Sequence, residues 1–293
     1  MRRILVLGAT SLIGRRLIAA PAPPGSGFVA LSRRPPAHGR GAPDEVRWIA
    51  ADLGDPDLGR RLPEVDAVLS LSPIWLLPAA LPALLATGAG RLVAVSSTSR
   101  LTKADSSVAG EREVAARLAR GEDAVTAACD AAGVAWTILR PTLIYAEGED
   151  RNVSRLAGLI DRFGVLPLAG RGEGLRQPVH AADLARAVLQ ALDAPAASGR
   201  IYALPGGETL SYRAMAVRIF QALGRPPRLL SLPPPLWRLG LALASPVLPG
   251  ATAAMGARMS EDLAFDAGPA MRDFGYAPRP FRPAFPRALT SRR

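Results

Sequence analysis

The residues best placed to do chemistry stand at the start of the chain, where apolar Ile4–Leu7 runs straight into Gly8-Ala9-Thr10-Ser11-Leu12-Ile13-Gly14. A strand, a glycine turn and a helix in that order aim backbone N–H groups and the positive end of a helix dipole at a phosphate. Gly8 permits the tight turn, and Gly14 lets the helix pack closely on the strand. Ser11 stands where a middle glycine would give a pyrophosphate its closest approach, and its small side chain is compatible with that role. Thr10, Ser11, Leu12 and Ile13 are therefore candidate contacts along with the two glycines. At the end of the next apolar run stand Ser32, Arg33 and Arg34. A carboxylate there would accept the ribose hydroxyls of NAD, whereas two guanidinium forks and a hydroxyl suit the 2′-phosphate of NADP. The expected cofactor is NADP(H) in preference to NAD(H). The competing reading is a solvated Arg pair.

Such a turn needs a parallel sheet behind it. Short β-type runs at 28–32, 46–51, 67–70, 92–96 and 136–139 alternate with helical stretches, the pattern of a doubly wound α/β sheet covered on both faces. The first helix, about 12–20, is stopped by Pro21, Pro23 and Pro24. Residues 35–45, rich in Pro and Gly, read as a loop. After Arg140-Pro141 the rhythm breaks, then a helix over 181–192 and a strand near Ile201 return to the sheet. This predicts a Rossmann-type domain over 1–145, completed by 178–204, and a smaller substrate lobe from 146–177 and 205–293.

Composition narrows the function. The chain has 293 residues, 49% hydrophobic and 21% charged, which suits a folded globular protein. Its net charge is +11, yet of 36 basic residues only Lys103 is a lysine. The arginines are scattered in pairs, and aromatics make up 5% of the chain. No basic-aromatic stripe forms a stacking platform, so no nucleic-acid partner is expected. The lone Cys129 cannot form an internal disulfide and suits a reducing compartment; no signal peptide is read at the N-terminus, so a cytoplasmic location is expected. Cys129 reads as a small buried hydrophobe. Two histidines and one cysteine offer no ligand cluster, and no metal is expected. The apolar stretch 236–248 contains Arg238 and Pro246 and falls short of the roughly 20 residues a membrane-spanning helix needs. It reads as a buried lobe helix, with peripheral membrane contact through Trp237 as the alternative.

Further motifs join these. They are Ala51-Asp52-Leu53 after the third run, Val95-Ser96-Ser97-Thr98-Ser99 after the fifth, Leu139-Arg140-Pro141-Thr142-Leu143-Ile144-Tyr145, and Arg176-Gln177-Pro178-Val179-His180-Ala181-Ala182-Asp183-Leu184-Ala185. With the glycine turn, they make residues 1 to about 280 resemble the extended and atypical branch of the short-chain dehydrogenase/reductase superfamily, the NAD(P)-dependent epimerase/dehydratase proteins. The resemblance implies that Asp52 reads adenine beside Leu53, that Ser70 and Pro141 line the cofactor, and that Ser97 holds the substrate oxygen. It implies that Arg176 binds a substrate diphosphate, while His180 and Asp183 serve structure. Members of the family pass a proton through a Tyr activated by a Lys one helical turn away. Here the first tyrosine is Tyr145, and no Tyr-x-x-x-Lys exists.

The helix that should carry that pair starts near Ser106 and offers Glu111 and Glu113 as carboxylates to replace the acid, although both read in preference as solvent-facing. Lys103, in the loop before that helix, has two readings: a side chain that swings toward the cofactor and, in preference, a surface residue. Tyr145 is the second candidate proton donor, weighed evenly against packing under the lobe. The leading expectation is a reductase or epimerase/dehydratase acting on a nucleotide-linked or other acidic small molecule. The alternative is a non-catalytic cofactor binder, like the nitrogen-regulator sensors or the Rossmann-fold accessory subunit of respiratory complex I. The oligomeric state is left open by the sequence.

Overall fold

A computed structural model describes residues 1–36, 46–233, 235–237, 256 and 258–285. Seven parallel strands form the central sheet: β1 (Arg2–Leu7), β2 (Ser26–Ser32), β3 (Val46–Ala50), β4 (Ala67–Ser70), β5 (Arg91–Val95), β6 (Ala135–Pro141) and a last strand, Arg200–Leu204. Their order is 200–204, β6, β5, β4, β1, β2, β3. The crossover from β3 to β4 passes to the far side of β1, so the sheet reverses direction between β1 and β4, and the crevice beyond the strands' carboxyl ends opens there. Strands buried on both faces must be apolar throughout, and residues 4–7 and 67–70 are fully covered, as are Leu92 to Val95.

Helices cover both faces. On one side lie α1 (Leu12–Ala19) and the helix Ala181–Asp193, packed with Ile4, Val6, Phe28, Val93 and Leu139. On the other lie the helices Leu77–Leu85 and Ala109–Ala131, packed with Leu5, Leu7, Val29, Leu92 and Ile138. Ala109–Ala131 starts three residues beyond Ser106 and runs for 23 residues. Gly121 lets it approach the backbone of Ile74 and Trp75, since a Cβ there would stand 3.0 Å from the Ile74 carbonyl oxygen.

A third apolar cluster gathers Tyr145, Val153, Ile160, Leu168, Met215, Phe220 and Phe281, drawn from the elements between and after the sheet strands. Residues 268–276, assigned to the lobe by sequence, pack on the sheet instead. Phe274 sits edge-to-face on Tyr202 of the last strand, and the Tyr276 hydroxyl donates to the Pro205 carbonyl at 2.6 Å. Most of the 35–45 loop and of the 236–248 stretch lies outside the described residues. Among those described, no helix is long and apolar enough to cross a membrane.

Candidate functional site

The glycine turn closes as its sequence requires. Gly8 has φ +69°, and a Cβ on it would stand 2.8 Å from the Leu71 and Ser72 backbone. A Cβ on Gly14 would meet the Gly8 carbonyl oxygen at 2.3 Å. Ser11 turns inward as the N-cap of α1, its hydroxyl accepting the Gly14 N–H at 3.1 Å. The Leu12 and Ile13 amides lie in the first turn, where N–H groups lack helical acceptors. Ile13 itself is buried, and Leu12 packs against the core.

Around this turn the strand ends bring further groups together. The Ser32 hydroxyl lies 3.3 Å from that of Thr10 and accepts the Arg34 N–H at 3.2 Å. Arg33 is exposed and reaches toward Asp52, with Nε 3.9 Å from its carboxylate, while Asp52 also accepts the Gly54 N–H. Leu53 departs from its expected place beside adenine: its side chain lies in the core with Leu5, Leu7 and Val29. At the end of β4, opposite Leu7, the Ser70 hydroxyl is fully buried and has no hydrogen-bond partner among the described residues. A buried hydroxyl left in this way costs free energy until a ligand or water meets it. The close glycine turn with its free first-turn amides, and the orphaned Ser70 hydroxyl at the neighbouring strand end, fit a dinucleotide.

The β5 end is held from below. The Pro141 carbonyl, closing β6, accepts both the N–H and the hydroxyl of Thr98, and this fixes the turn that presents Ser97. Ser97 is half-buried and accepts the Ser99 N–H at 3.1 Å. Beneath it, Ser96 donates to Glu122 at 2.5 Å. Glu122 is fully buried and also receives Arg100 and Arg140. Burial would raise its pKa, but the bonds from Arg140 and Ser96 and the charges of Arg140 and Arg100 outweigh that and hold it low. In the sequence Glu122 is one acidic residue among several on an Arg/Glu-rich helix, and nothing marks it as buried.

Several other expectations change. Tyr145 packs edge-to-face against both His180 and Phe281 and is 1% exposed. Burial, then Glu147, pushes its phenol upward. Enclosed by these two rings, it packs under the lobe and presents no open face to a substrate. Arg176 is spent on backbone: its guanidinium donates to the carbonyls of Leu175, Glu261 and Arg258, and it lies over the Tyr212 ring. That role ties the 258–262 segment to the lobe and buries the guanidinium expected to meet a diphosphate, the residue being 5% exposed. Glu111 and Lys103 are both half-buried rather than solvent-facing, 3.9 Å apart, while Glu113 is exposed and pairs with Arg120. His180 caps the helix Ala181–Asp193 and lies 3.2 Å from Glu147; Asp183 holds Arg279 and Arg186.

Comparison with known proteins gives this geometry a lineage. Residues 80–204 match the family model of the NAD dependent epimerase/dehydratase family. The chain is 30% identical over 221 residues to 2-alkyl-3-oxoalkanoate reductase of Stenotrophomonas maltophilia, 66% of each chain. It belongs to the NAD-dependent epimerase/dehydratase family. It is also 32% identical over 111 residues to a mitochondrial NADH dehydrogenase [ubiquinone] 1 alpha subcomplex subunit 9 of Arabidopsis thaliana, 38% of this chain and 27% of that one. The matches thus span between a quarter and about two-thirds of these curated relatives. Among solved structures of this fold, the UDP-glucose 4-epimerase of Thermotoga maritima superposes with a TM-score of 0.70 at 15% identity, covering 94% of each chain. UDP-glucuronic acid 4-epimerase of Bacillus cereus, solved with UDP-glucuronic acid and NAD, gives 0.71 at 16% identity and 95% of each.

Proposed function

We propose that this family member is an NADP(H)-dependent reductase of the carbonyl group of a small acidic or nucleotide-linked molecule, working in the cytoplasm. The observation that carries the reading is the cradle at the sheet's reversal: the glycine turn, the orphaned Ser70 hydroxyl, and Ser32 with Arg33 and Arg34 at the next strand end. Residues 1–145 and 178–204 hold the dinucleotide in this reading, and 146–177 with 205–293, apart from the stretch packed on the sheet, choose the substrate. Gly8 to Gly14 receive the pyrophosphate, Asp52 the adenine, and Arg33 and Arg34 the 2′-phosphate. The nicotinamide supplies hydride when bound. Ser97 orients the substrate oxygen by hydrogen bonding. A reductase is favoured over an epimerase because the reductase relative aligns along two-thirds of this chain.

Parallel calorimetric titration with NADPH and NADH tests the cofactor assignment. Tight NADPH and weak NADH binding is expected, and equal affinities would sink the 2′-phosphate assignment. A second reading, a cofactor-holding protein without turnover, is favoured by one observation: all four tyrosines, Tyr145, Tyr202, Tyr212 and Tyr276, are buried. Oxidation of bound NADPH followed at 340 nm with a panel of oxo-acids and nucleotide sugars separates the two.

A further inference from the structure

Reduction of a carbonyl requires a proton as well as a hydride, and most of the usual donors are accounted for. All four tyrosines are buried with phenols pushed upward, Tyr212 to about 12. Cys129 is buried in the core, and its thiol is raised to about 11 by burial and by Asp130. His180 is engaged at both ring nitrogens, by the Ala182 N–H and by Glu147. Arginine does not release its proton in proteins, and in this chain every basic residue but one is arginine.

The exception sits on the connection that leaves Ser97. One turn of helix, Ser99–Thr102, follows the serine, and Lys103 closes it. The amine lies 3.9 Å from Glu111 in the first turn of the helix Ala109–Ala131. Glu111 in turn accepts the Ser106 hydroxyl at 2.7 Å and receives Arg258, which arrives from the segment that Arg176 ties down. Arg112 holds the Ser106 carbonyl at 2.6 Å. The charged groups around the amine are therefore Glu111 from the helix and Arg258 from the lobe. Burial, and then the charge of Arg258, lowers the lysine's pKa. The cluster closes the seam between sheet domain and lobe on the carboxyl-end side, where an open α/β sheet takes its ligands.

We propose that Lys103, paired with Glu111 on the short connection that leaves Ser97, is the proton donor of this protein to the oxygen that Ser97 orients. The inference rests on the reductase reading above. Lys103 gives its Nζ proton to the carbonyl oxygen as the carbonyl carbon receives hydride from the reduced nicotinamide. The C=O π bond is replaced by C–H and O–H bonds, the nicotinamide is left oxidised by two electrons, and the neutral amine regains a proton from solvent.

Because the chain has a single lysine, reductive methylation with 13C-formaldehyde yields two NMR signals, from Lys103 and the N-terminal amine, and Lys103→Arg assigns them. The amine is titrated in the free protein and in protein saturated with NADPH or with NADP⁺, binding of each being verified by calorimetry. The oxidised ring carries a unit positive charge that the reduced ring lacks. A lysine facing it titrates lower with NADP⁺ than with NADPH by about half a unit or more, as Coulomb's law gives for charges within about 10 Å in a partly screened site. In the free protein the amine is expected to titrate below the ordinary range of lysine, because of its burial and the charge of Arg258. Glu111→Gln is expected to lower it further and to leave cofactor affinity within about twofold, since Glu111 lies outside the cradle. Identical titrations in the two saturated forms overturn the proposal and leave the cofactor reading standing. Failure of both nucleotides to bind overturns the two together.

Discussion

At the scale of single residues, the tightest constraint in the molecule is the approach of α1 to its own turn. Gly14→Ala would drive a methyl into the Gly8 carbonyl, and we expect dinucleotide affinity to fall by at least about tenfold, some 1.4 kcal/mol, in calorimetry. Arg33→Ala should weaken NADPH by a comparable factor and leave NADH unchanged, because Arg33 is exposed and its long contact with Asp52 adds little to stability. Tyr145→Phe should leave NADPH oxidation within about twofold, since that phenol is enclosed by the lobe's own rings. The glycine turn was legible in the sequence because its demands are local, a matter of seven consecutive residues. The burial of Tyr145, the commitment of Arg176 and the pairing of Glu111 with Arg258 were not. Each depends on a partner more than 80 residues away, Phe281, Glu261 and Arg258 respectively, and no local pattern announces such a neighbour.

At the scale of elements, apolar runs identified the sheet strands because strands covered on both faces have no polar period to hide in. Their ends shifted by a residue or several, β6 running on to Pro141. The helix Ala109–Ala131 was harder, since its sequence is dominated by Arg, Glu and Ala and its buried carboxylate looks like its exposed ones. Glu122 joins that helix to β5, β6 and the turn after Ser97. Glu122→Gln would strip Arg140 of the carboxylate it pairs with and leave Arg100 only the exposed Asp123, at a cost of about 3–5 kcal/mol in denaturant unfolding. The same network sets an acid limit. A carboxylate held below its unfolded value contributes stability at pH above about 4.3 and loses it as the pH falls through the folded value. The wild-type melting temperature should therefore drop more steeply below about pH 4.3 than that of Glu122→Gln.

At the scale of the whole molecule, one extended segment joins everything described. Residues 276–284 bind the sheet side through Tyr276 and through Arg279 on Asp183, and the lobe through Phe281. The Phe281 N–H meets Glu208, and the Ala284 N–H meets Glu147, which also holds His180. Phe281→Ala should cost about 3–5 kcal/mol, and removing residues 277–293 should raise binding of a hydrophobic dye as Tyr145 loses its cover. Sequence reading missed this strap because it has no periodicity: it is neither helix nor strand, and its anchors are scattered.

The strap also imposes an order on synthesis. Phe281 leaves the ribosome long after the Tyr145 it covers, a delay on the order of ten seconds at usual translation speeds. Throughout that interval the nascent lobe presents an uncovered aromatic face while the sheet behind it is free to form. Slowing translation between Tyr145 and Phe281 would lengthen the exposure, and holding chaperones should find this chain most readily before Phe281 emerges.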